Sequence, residues 1–497
     1  MPSIRKTKTS SGATAVQVVR YENRKVVIMK HLGSAKETTE ITALIQDAEA
    51  WINHETFQPS LFSSRPNRTL CLTSCRSAGV RYVFAHTVLS AIACRLGLTE
   101  LKNRFLIDFV LIRVLEPASK LRSIKLLEQY FGIKYSERSV YRLLPKILKF
   151  KPLIENLAVN FAKEKLIDDL SFVLYDVTTL YFESFEADEL RQPGFSKDNK
   201  ANQPQIVIGL LVNKRGFPLG FEVFQGNTFE GKTMLPVLEA FRSTHNSTTC
   251  TVVADAAMMG IKNIEELNKR GLNYIVGARA ANLSPIVIEK VTGSLGQKDG
   301  ATVRFETDHG DLICSFSAKR WRKDNAEMEK QITKAKNFVD KKESGRRAKF
   351  VTNDKKKTSY VLNDALVEKT TKLLGVKGYY TNIKETKLTD KEIIAHYHDL
   401  WHVEQSFRMA KSDLATRPIF HYKKDAVKAH LVICFAALMI GKYLEIETEF
   451  SLRNVVDILK NVIDARIVNI KTGEEFSLPP EIGVEAQGLL KKLGLSY

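Results

Sequence analysis

Long apolar runs are missing from this chain of 497 residues. The longest, "LVICFAALMIG" from Leu431 to Gly441, falls well short of the roughly 20 residues that a membrane-crossing helix needs, and reads as a buried helix. The opening "MPSIRKTKTSSG" holds no apolar segment of the kind a secretory signal requires. Cysteine is scarce too: of the six, only Cys71 and Cys75 stand close together. With no second pair at ligand spacing, a zinc module is not expected, and reduced thiols fit a cytoplasmic protein. No low-complexity segment or fixed-period repeat is visible, which excludes solenoid and propeller arrays. Acidic residues are the last shortage. Lys and Arg total 75 against 56 Asp and Glu, a net charge of +19. A chain this basic meets a polyanion, nucleic acid ahead of an anionic membrane.

What is present is ample core material, 44% hydrophobic, in a chain long enough for two to four compact units. Residues 1–65 form a small N-terminal β/α region. "AVQVVRYENRKVVIMKHLG" alternates like two strands about a turn at Glu22-Asn23-Arg24, and a charged helix follows from Glu37 to Asn53. "NHETFQPSLFSSRPNRT" reads as a linker. From Val83 to Ile167 the pattern is helical. Within it, a Gly132 turn and a Ser136 cap separate two helices, the second carrying Arg138, Arg142 and Lys146. That stretch fits a DNA-binding helix-turn-helix or an ordinary helical hairpin.

At Leu170 the composition changes. "LSFVLYDVTTLYF", "QIVIGLLVN" and "PLGFEVFQG" read as antiparallel strands, and helix and strand then alternate through "CTVVADA" and "LNYIVGA". The expected fold is α/β, a mixed sheet whose order resembles the ribonuclease-H-like core, spanning 168–281 and 373–450. Residues 282–372 read as a β-rich insertion with a basic helix, and 451–497 as a C-terminal region. "LTDKEII" begins a further helix with Thr389 and Glu392 in capping-box spacing, expected to run to Asp413, with an apolar helix from Ala426 to Glu445 behind it.

Two aspartates stand out. Asp176 interrupts an otherwise apolar strand, and Asp255 ends the strand "TVVA". A carboxylate there must be paired, hydrogen-bonded or bound to a cation, although an Asp at 255 also suits a strand-to-helix cap. Open α/β sheets carry their sites at strand carboxyl ends. A helix packed on that edge can add a third acid, and Glu404 is the candidate. Three converging carboxylates call for hard cations, Mg²⁺ or Mn²⁺, and two such ions would serve phosphoryl transfer.

"YHDLWHVEQSFRMAK", Tyr397 to Lys411, resembles the Y-x-x-R-x-x-x-E-x6-K signature of DDE insertion-sequence transposases, with Tyr397, Glu404 and Lys411 at its Y, E and K. "YDVTTLYFES" and "VVADAAMMG" resemble the two aspartate strands of that family. "PLGFEVFQGNTFEGKTMLPVLE" resembles the segment between them, so the likeness runs from Leu170 to Glu445. The resemblance implies that Asp176, Asp255 and Glu404 hold two metal ions. It further implies that Lys411 meets a DNA phosphate and that Tyr397 bonds the DNA backbone. It implies cleavage at the ends of a mobile element and joining of the 3′-hydroxyl to target DNA, by a homodimer on double-stranded DNA with no membrane role. One position departs: Leu400 stands where the family has arginine, leaving Arg408, one turn beyond Glu404, as a substitute contact.

Lys197 in the polar loop "GFSKDNKANQPQ" and the basic insertion helix offer further phosphate contacts. Trp321 is a candidate to stack on an unpaired base or a core residue of the insertion. Trp401, on the Tyr-Glu-Lys stripe, is expected to seat its helix by packing. Other readings are a ribonuclease-H-like nuclease or resolvase without strand transfer, and an inactive transposase-derived DNA-binding protein. A zinc pair at His398 and His402 lacks the H-E-x-x-H pattern. A phosphatase reading of "YDVTTL" fails because Thr178 replaces the second aspartate.

Overall fold

Val16 and Val18, two apart on one strand, face the same side and are fully buried against Ala48 of a helix. They belong to β1 (Ser3–Lys8), β2 (Thr14–Glu22) and β3 (Lys25–Ala35), an antiparallel sheet followed by α1 (Thr38–Thr56). The computed structural model describes residues 2–497 except 23–24, 57–73, 185, 196–201, 246–249, 259, 309, 342–347 and 354–359. The expected turn and most of the expected linker therefore lie outside the described residues. β1 was not read from the sequence, because "SIRKTK" has almost no apolar alternation. Met1–Cys75 is one compact unit and Arg76–Tyr497 the other.

The second unit opens within β4 (Cys75–Arg81) and continues through α2 (Val83–Arg95), α3 (Arg104–Leu115), α4 (Lys120–Leu126), α5 (Glu137–Leu143) and α6 (Lys151–Glu164). α3, "RFLIDFVLIRVL", is apolar on nearly every face and accordingly buried. Gly132 turns the chain between α4 and α5 at φ +72°, and the Ser136 hydroxyl caps α5 by accepting from the Ser139 amide at 3.2 Å.

A large mixed sheet follows. Its first part is β5 (Phe172–Tyr181), β6 (Gln205–Val212), β7 (Pro218–Gln225), α7 (Met234–His245), β8 (Thr251–Ala254), α8 (Ile261–Lys269) and β9 (Asn273–Ala278). Then come α9 (Pro285–Leu295), β10 (Thr302–Thr307), β11 (Gly310–Phe316), α10 (Ala318–Lys341), β12 (Val351–Asn353), β13 (Tyr360–Leu362), α11 (Asp364–Lys372) and β14 (Val376–Thr381). The strand order is β10-β11-β14-β9-β8-β5-β6-β7. β5, β6 and β7 are antiparallel neighbours, whereas β8 runs parallel to both β5 and β9. Helical crossovers α7 and α8 permit the parallel pairings; a tight turn at Asn213–Gly216 sets the antiparallel one. In that turn the Asn213 carboxamide oxygen accepts from the Phe217 amide at 2.8 Å.

The insertion is less separate than its sequence suggests. β14 pairs with β9 on one side and with β11 on the other, so the β10–β11 hairpin extends the central sheet. β12 and β13 form a small ladder inside the stretch that reads as merely polar.

The chain ends with α12 (Asp390–His398), α13 (Trp401–Arg408), α14 (Lys424–Thr448), α15 (Leu452–Asn461), β15 (Asp464–Asn469), β16 (Glu475–Leu478) and α16 (Val484–Leu493). α14 has the length and composition to cross a membrane, yet 89% of its most apolar window is buried inside the protein. The single helix expected from Thr389 to Asp413 is broken. At Asp399–Leu400 the hydrogen bonds tighten to three-residue steps, Leu400 to Tyr397 at 3.2 Å and His402 to Asp399 at 2.9 Å. Beyond Arg408 the backbone widens into a π turn, Met409–Asp413. Tyr397 and Glu404 line one cleft across the first change of pitch, whereas Lys411, within the second, lines a neighbouring pocket. One buried cluster runs from Phe84 to Leu493, joining the helical region, sheet and C-terminal helices.

Candidate active site

Strand register brings the first two carboxylates together. β5 and β8 run parallel with Tyr175 beside Ala254, so the next residues, Asp176 and Asp255, are adjacent at the carboxyl end of β8. Residues side by side on parallel strands share a face. Tyr175 takes the opposite face, fully buried, with its hydroxyl donated to Thr233 at 2.9 Å. Gly209 on β6 makes that possible, since a Cβ there would stand 2.3 Å from the Tyr175 hydroxyl.

The third carboxylate arrives on α13. Val403 and Phe407 bury one side of that helix, and Ser406 pins it to the β6–β7 turn by donating to the Gly216 carbonyl at 2.7 Å. Glu404, on the exposed side, then lines a cleft of about 370 Å³ together with Asp176 and Asp255. Lys377, Tyr397, His398, Leu400, Trp401 and Val403 complete its wall.

α12 is fixed independently. Thr389 and Glu392 close the capping box, with the Thr389 amide donating to Glu392 at 2.8 Å. Arg304 of β10 donates to Asp390 at 2.7 Å, to Asp311 at 3.0 Å and to the Ile383 carbonyl at 3.0 Å. The insertion hairpin thus holds the start of the helix that carries Tyr397. Tyr397 is 7% exposed and donates its hydroxyl to Asp255 at 3.0 Å. The hydroxyl expected to meet DNA is engaged with the Asp255 carboxylate in this structure. Burial and the nearby Asp255 carboxylate hold this phenol protonated far above the usual tyrosine range. Gly277 on β9 leaves the room, for a Cβ there would lie 2.5 Å from the Tyr397 hydroxyl.

Lys377 of β14 was not singled out in the sequence. Its amine sits 4.5 Å from the ring centre of Tyr397 and 5.6 Å from that of Tyr379. Burial pushes its pKa down, and Arg320 adds to this, while Asp255 and Glu404 oppose it. His398 is likewise pushed down, by burial first and then by Lys377. Trp401, expected to seat the helix, is 48% exposed on the cleft wall, its ring 4.0 Å from that of His402. The tightened turn at Asp399–Leu400 swings it outward. The only sequence signal for Lys377 was a cation within the apolar strand "GVKGYY".

The remaining singled-out residues scatter. Lys411 is half-buried and lines a neighbouring pocket with Thr178, Leu180 and Phe407. Arg408 is exposed beyond the cleft, and Arg138 and Arg142 are exposed on α5. Leu400 packs partly against the main core at the cleft wall. Trp321 is half-buried and packs against both small cores of the insertion. Lys197 lies outside the described residues.

Carboxylate oxygens are the hard donors that Mg²⁺ and Mn²⁺ take, so the chemistry of the donor set fits such ions. Their spacing is wider than ligation requires: among the described residues, no three His, Cys, Asp or Glu side chains converge closely enough to hold a metal.

A mixed sheet with three acids on one cleft, in a strongly basic chain, defines a nucleic-acid-processing class of protein. Residues 168–440, more than half of the chain, match the model of the transposase DDE domain, and the chain belongs to that family. Among solved structures, the cryo-EM structure of a piggyBac transposase synaptic complex with hairpin DNA is similar at 11% identity. The similarity covers 72% of this chain and 70% of that one, with a TM-score of 0.39. No curated protein matches the chain.

Proposed function

We propose that the protein cleaves the phosphodiester bonds at the ends of its mobile element and joins the freed 3′-hydroxyls to target DNA. The observation that carries this reading is the single cleft shared by Asp176, Asp255 and Glu404 in a chain matching the DDE transposase domain. The strand order β7-β6-β5-β8-β9, three antiparallel strands and then two parallel ones, supports a ribonuclease-H-like core. Tyr397, Glu404 and Lys411 support the insertion-sequence group with the Y-R-E-K signature.

Asp176, Asp255 and Glu404 would hold two divalent ions, drawn into the cleft by three negative charges. Such ions, when bound, activate the attacking hydroxyl and stabilise the leaving oxygen. Tyr397 fixes the rotamer of Asp255, so that one carboxylate oxygen stays engaged and the other is presented to the cleft. Lys377 offsets part of the repulsion among the acids and lines the same cleft as Leu400, the position that lacks the family arginine. A DNA phosphate entering the cleft finds its cation there. Arg408, Lys411 and the α5 arginines extend the contact along the backbone, and paired ends call for two copies of the chain.

The test uses duplexes carrying the DNA that flanks the reading frame, with Mg²⁺ or Mn²⁺. Wild type nicks the ends and transfers them to a target plasmid. Asp176→Asn, Asp255→Asn and Glu404→Gln each lose cleavage by about 100- to 1,000-fold, the size of effect seen when an electrostatic catalytic group is removed, while end binding persists. A variant that cuts at the wild-type rate removes that residue from the assignment. Cleavage without joining identifies a nuclease or resolvase instead.

A further inference from the structure

The loop between the π turn and α14 covers a second recess, of about 170 Å³, whose chemistry is the reverse of the acidic cleft. Its wall is built from Arg113 of α3, Lys120 of α4, Arg417 and His421 of the loop, and His430 of α14. Among the described residues, no carboxylate lines it.

Arg113 and Lys120 are only 3% and 4% exposed. Arg113 is locked in place by three carbonyls, donating to Leu414 at 2.8 Å, Ala415 at 3.1 Å and Ala118 at 2.7 Å. None of those acceptors carries a full negative charge. The Lys120 amine lies 3.2 Å from His430 Nδ1, and His430 Nε2 lies 3.1 Å from the Thr416 carbonyl. Nε2 must carry the imidazole proton to meet a carbonyl, so Nδ1 accepts from Lys120. That contact engages one of the three N–H groups of an ammonium. Burying cations without a countercharge costs several kcal/mol each, and the fold has gathered them around an open space.

The balance of charge shows in the neighbours. Burial, then Lys120 and Arg113, hold His421 down to about 4. Lys120 is itself pushed well down by burial and by Arg113. Burial is the larger cause of both shifts, and the smaller, Coulombic part marks Arg113 as a positive charge among these groups.

We propose that this recess binds a phosphate group, with Arg113, Lys120 and Arg417 as its cationic walls and Ser119 at its rim. Ser119 also lines the space. The volume accommodates a phosphate and displaced water, each water claiming about 30 Å³ in the liquid. The phosphate comes from a DNA backbone or from a free phosphate, and only the DNA source rests on the transposase reading above. The competing account is structural: Lys120 is a neutral donor that fastens α4 to α14 through His430, and no anion is taken.

Titration calorimetry on the full chain, without divalent metal and at constant ionic strength in chloride, separates the accounts. Inorganic phosphate binds wild type, and Lys120→Met weakens it by about 10- to 100-fold, the loss of one charge-assisted hydrogen bond. Arg417→Gln, at the mouth of the recess, weakens it as well and serves if the Lys120 variant fails to fold. If a short DNA duplex displaces the phosphate, the source is the DNA backbone; if the two bind independently, it is a free phosphate. No phosphate binding by wild type, or equal binding by wild type and the folded variants, overturns the site. Neither result depends on end cleavage, so the triad variants test the transposase reading separately.

Discussion

Tyr397 links a core to Asp255, the carboxylate proposed above to be catalytic, and its substitution separates the two roles. Tyr397→Phe keeps the ring that packs against Tyr379, whose centroid is 4.9 Å away, and removes only the hydrogen bond to Asp255. Melting should shift little, while end cleavage falls about 10- to 100-fold, since hydrogen bonds to charged groups are worth about 1.5–3 kcal/mol. Undiminished cleavage would mean that Asp255 is oriented by other contacts. A second residue-level consequence concerns acid. His421 takes up its proton near 6.5 when unfolded but only near about 4 when folded. His430 is displaced in the same direction by its burial. The unfolded state therefore binds more protons between these values, and stability present above pH 6.5 is lost as the pH falls towards 4. Urea titrations at stepped pH should show that decline, and His421→Gln should make it shallower. Residues of this kind were unequally legible. Asp176 and Asp255 announced themselves as acids in apolar strands, and Glu404 through its spacing from Tyr397 and Lys411. Lys377 and Trp401 did not, because one depends on which strand neighbours β9 and the other on a change of helical pitch.

At the scale of elements, the site is held by contacts that local sequence does not encode. The period-two and helical patterns were enough to locate the strands β5 to β9 and the buried helix α14. Pairing of β14 with β11 was hidden, since the partner strands are separated by α10 and α11 and neither hairpin nor crossover length specifies it. That pairing is what brings Arg304 to the head of α12. The Arg304, Asp311 and Asp390 side chains are 13%, 8% and 13% exposed. Replacing Arg304 with Met leaves the nearly buried Asp390 without its cation and Asp311 with only Lys384, 3.7 Å away. The expected cost is about 3–5 kcal/mol, as for a buried pair that loses one partner. A lower urea midpoint with an unchanged slope would measure it. Arg304→Met combined with Asp311→Asn and Asp390→Asn should recover part of the loss, because uncharged amides no longer need the guanidinium. If the single variant is as stable as wild type, the hairpin does not anchor α12.

The whole molecule divides where burial divides, and not where composition first suggests. The helical stretch before β5 reads from sequence as a module of its own, but its apolar faces share one core with the sheet and with α16. Phe84, Leu89 and Phe109 from its helices, Leu438 and Leu444 from α14, and Leu489 and Leu493 from α16 belong to the same buried cluster. By contrast, the N-terminal unit has its own small core around Val16, Val18 and Ala48. Two truncations should therefore behave in opposite ways. A chain of residues 76–497 loses none of the main cluster and should melt in a single cooperative transition near the full-length temperature, followed by circular dichroism. A chain ending at Thr448 loses Leu452, Val455, Leu459, Leu489 and Leu493, all nearly or fully buried. Removing five such side chains withdraws on the order of 10 kcal/mol of burial, comparable to the whole stability of a typical domain. It should also bare part of α14, a long and almost wholly buried helix, and be recovered aggregated. If residues 1–448 instead stay soluble and fold cooperatively, α14 is stabilised by the sheet and the helical region before β5 alone, and the C-terminal helices are an appendage.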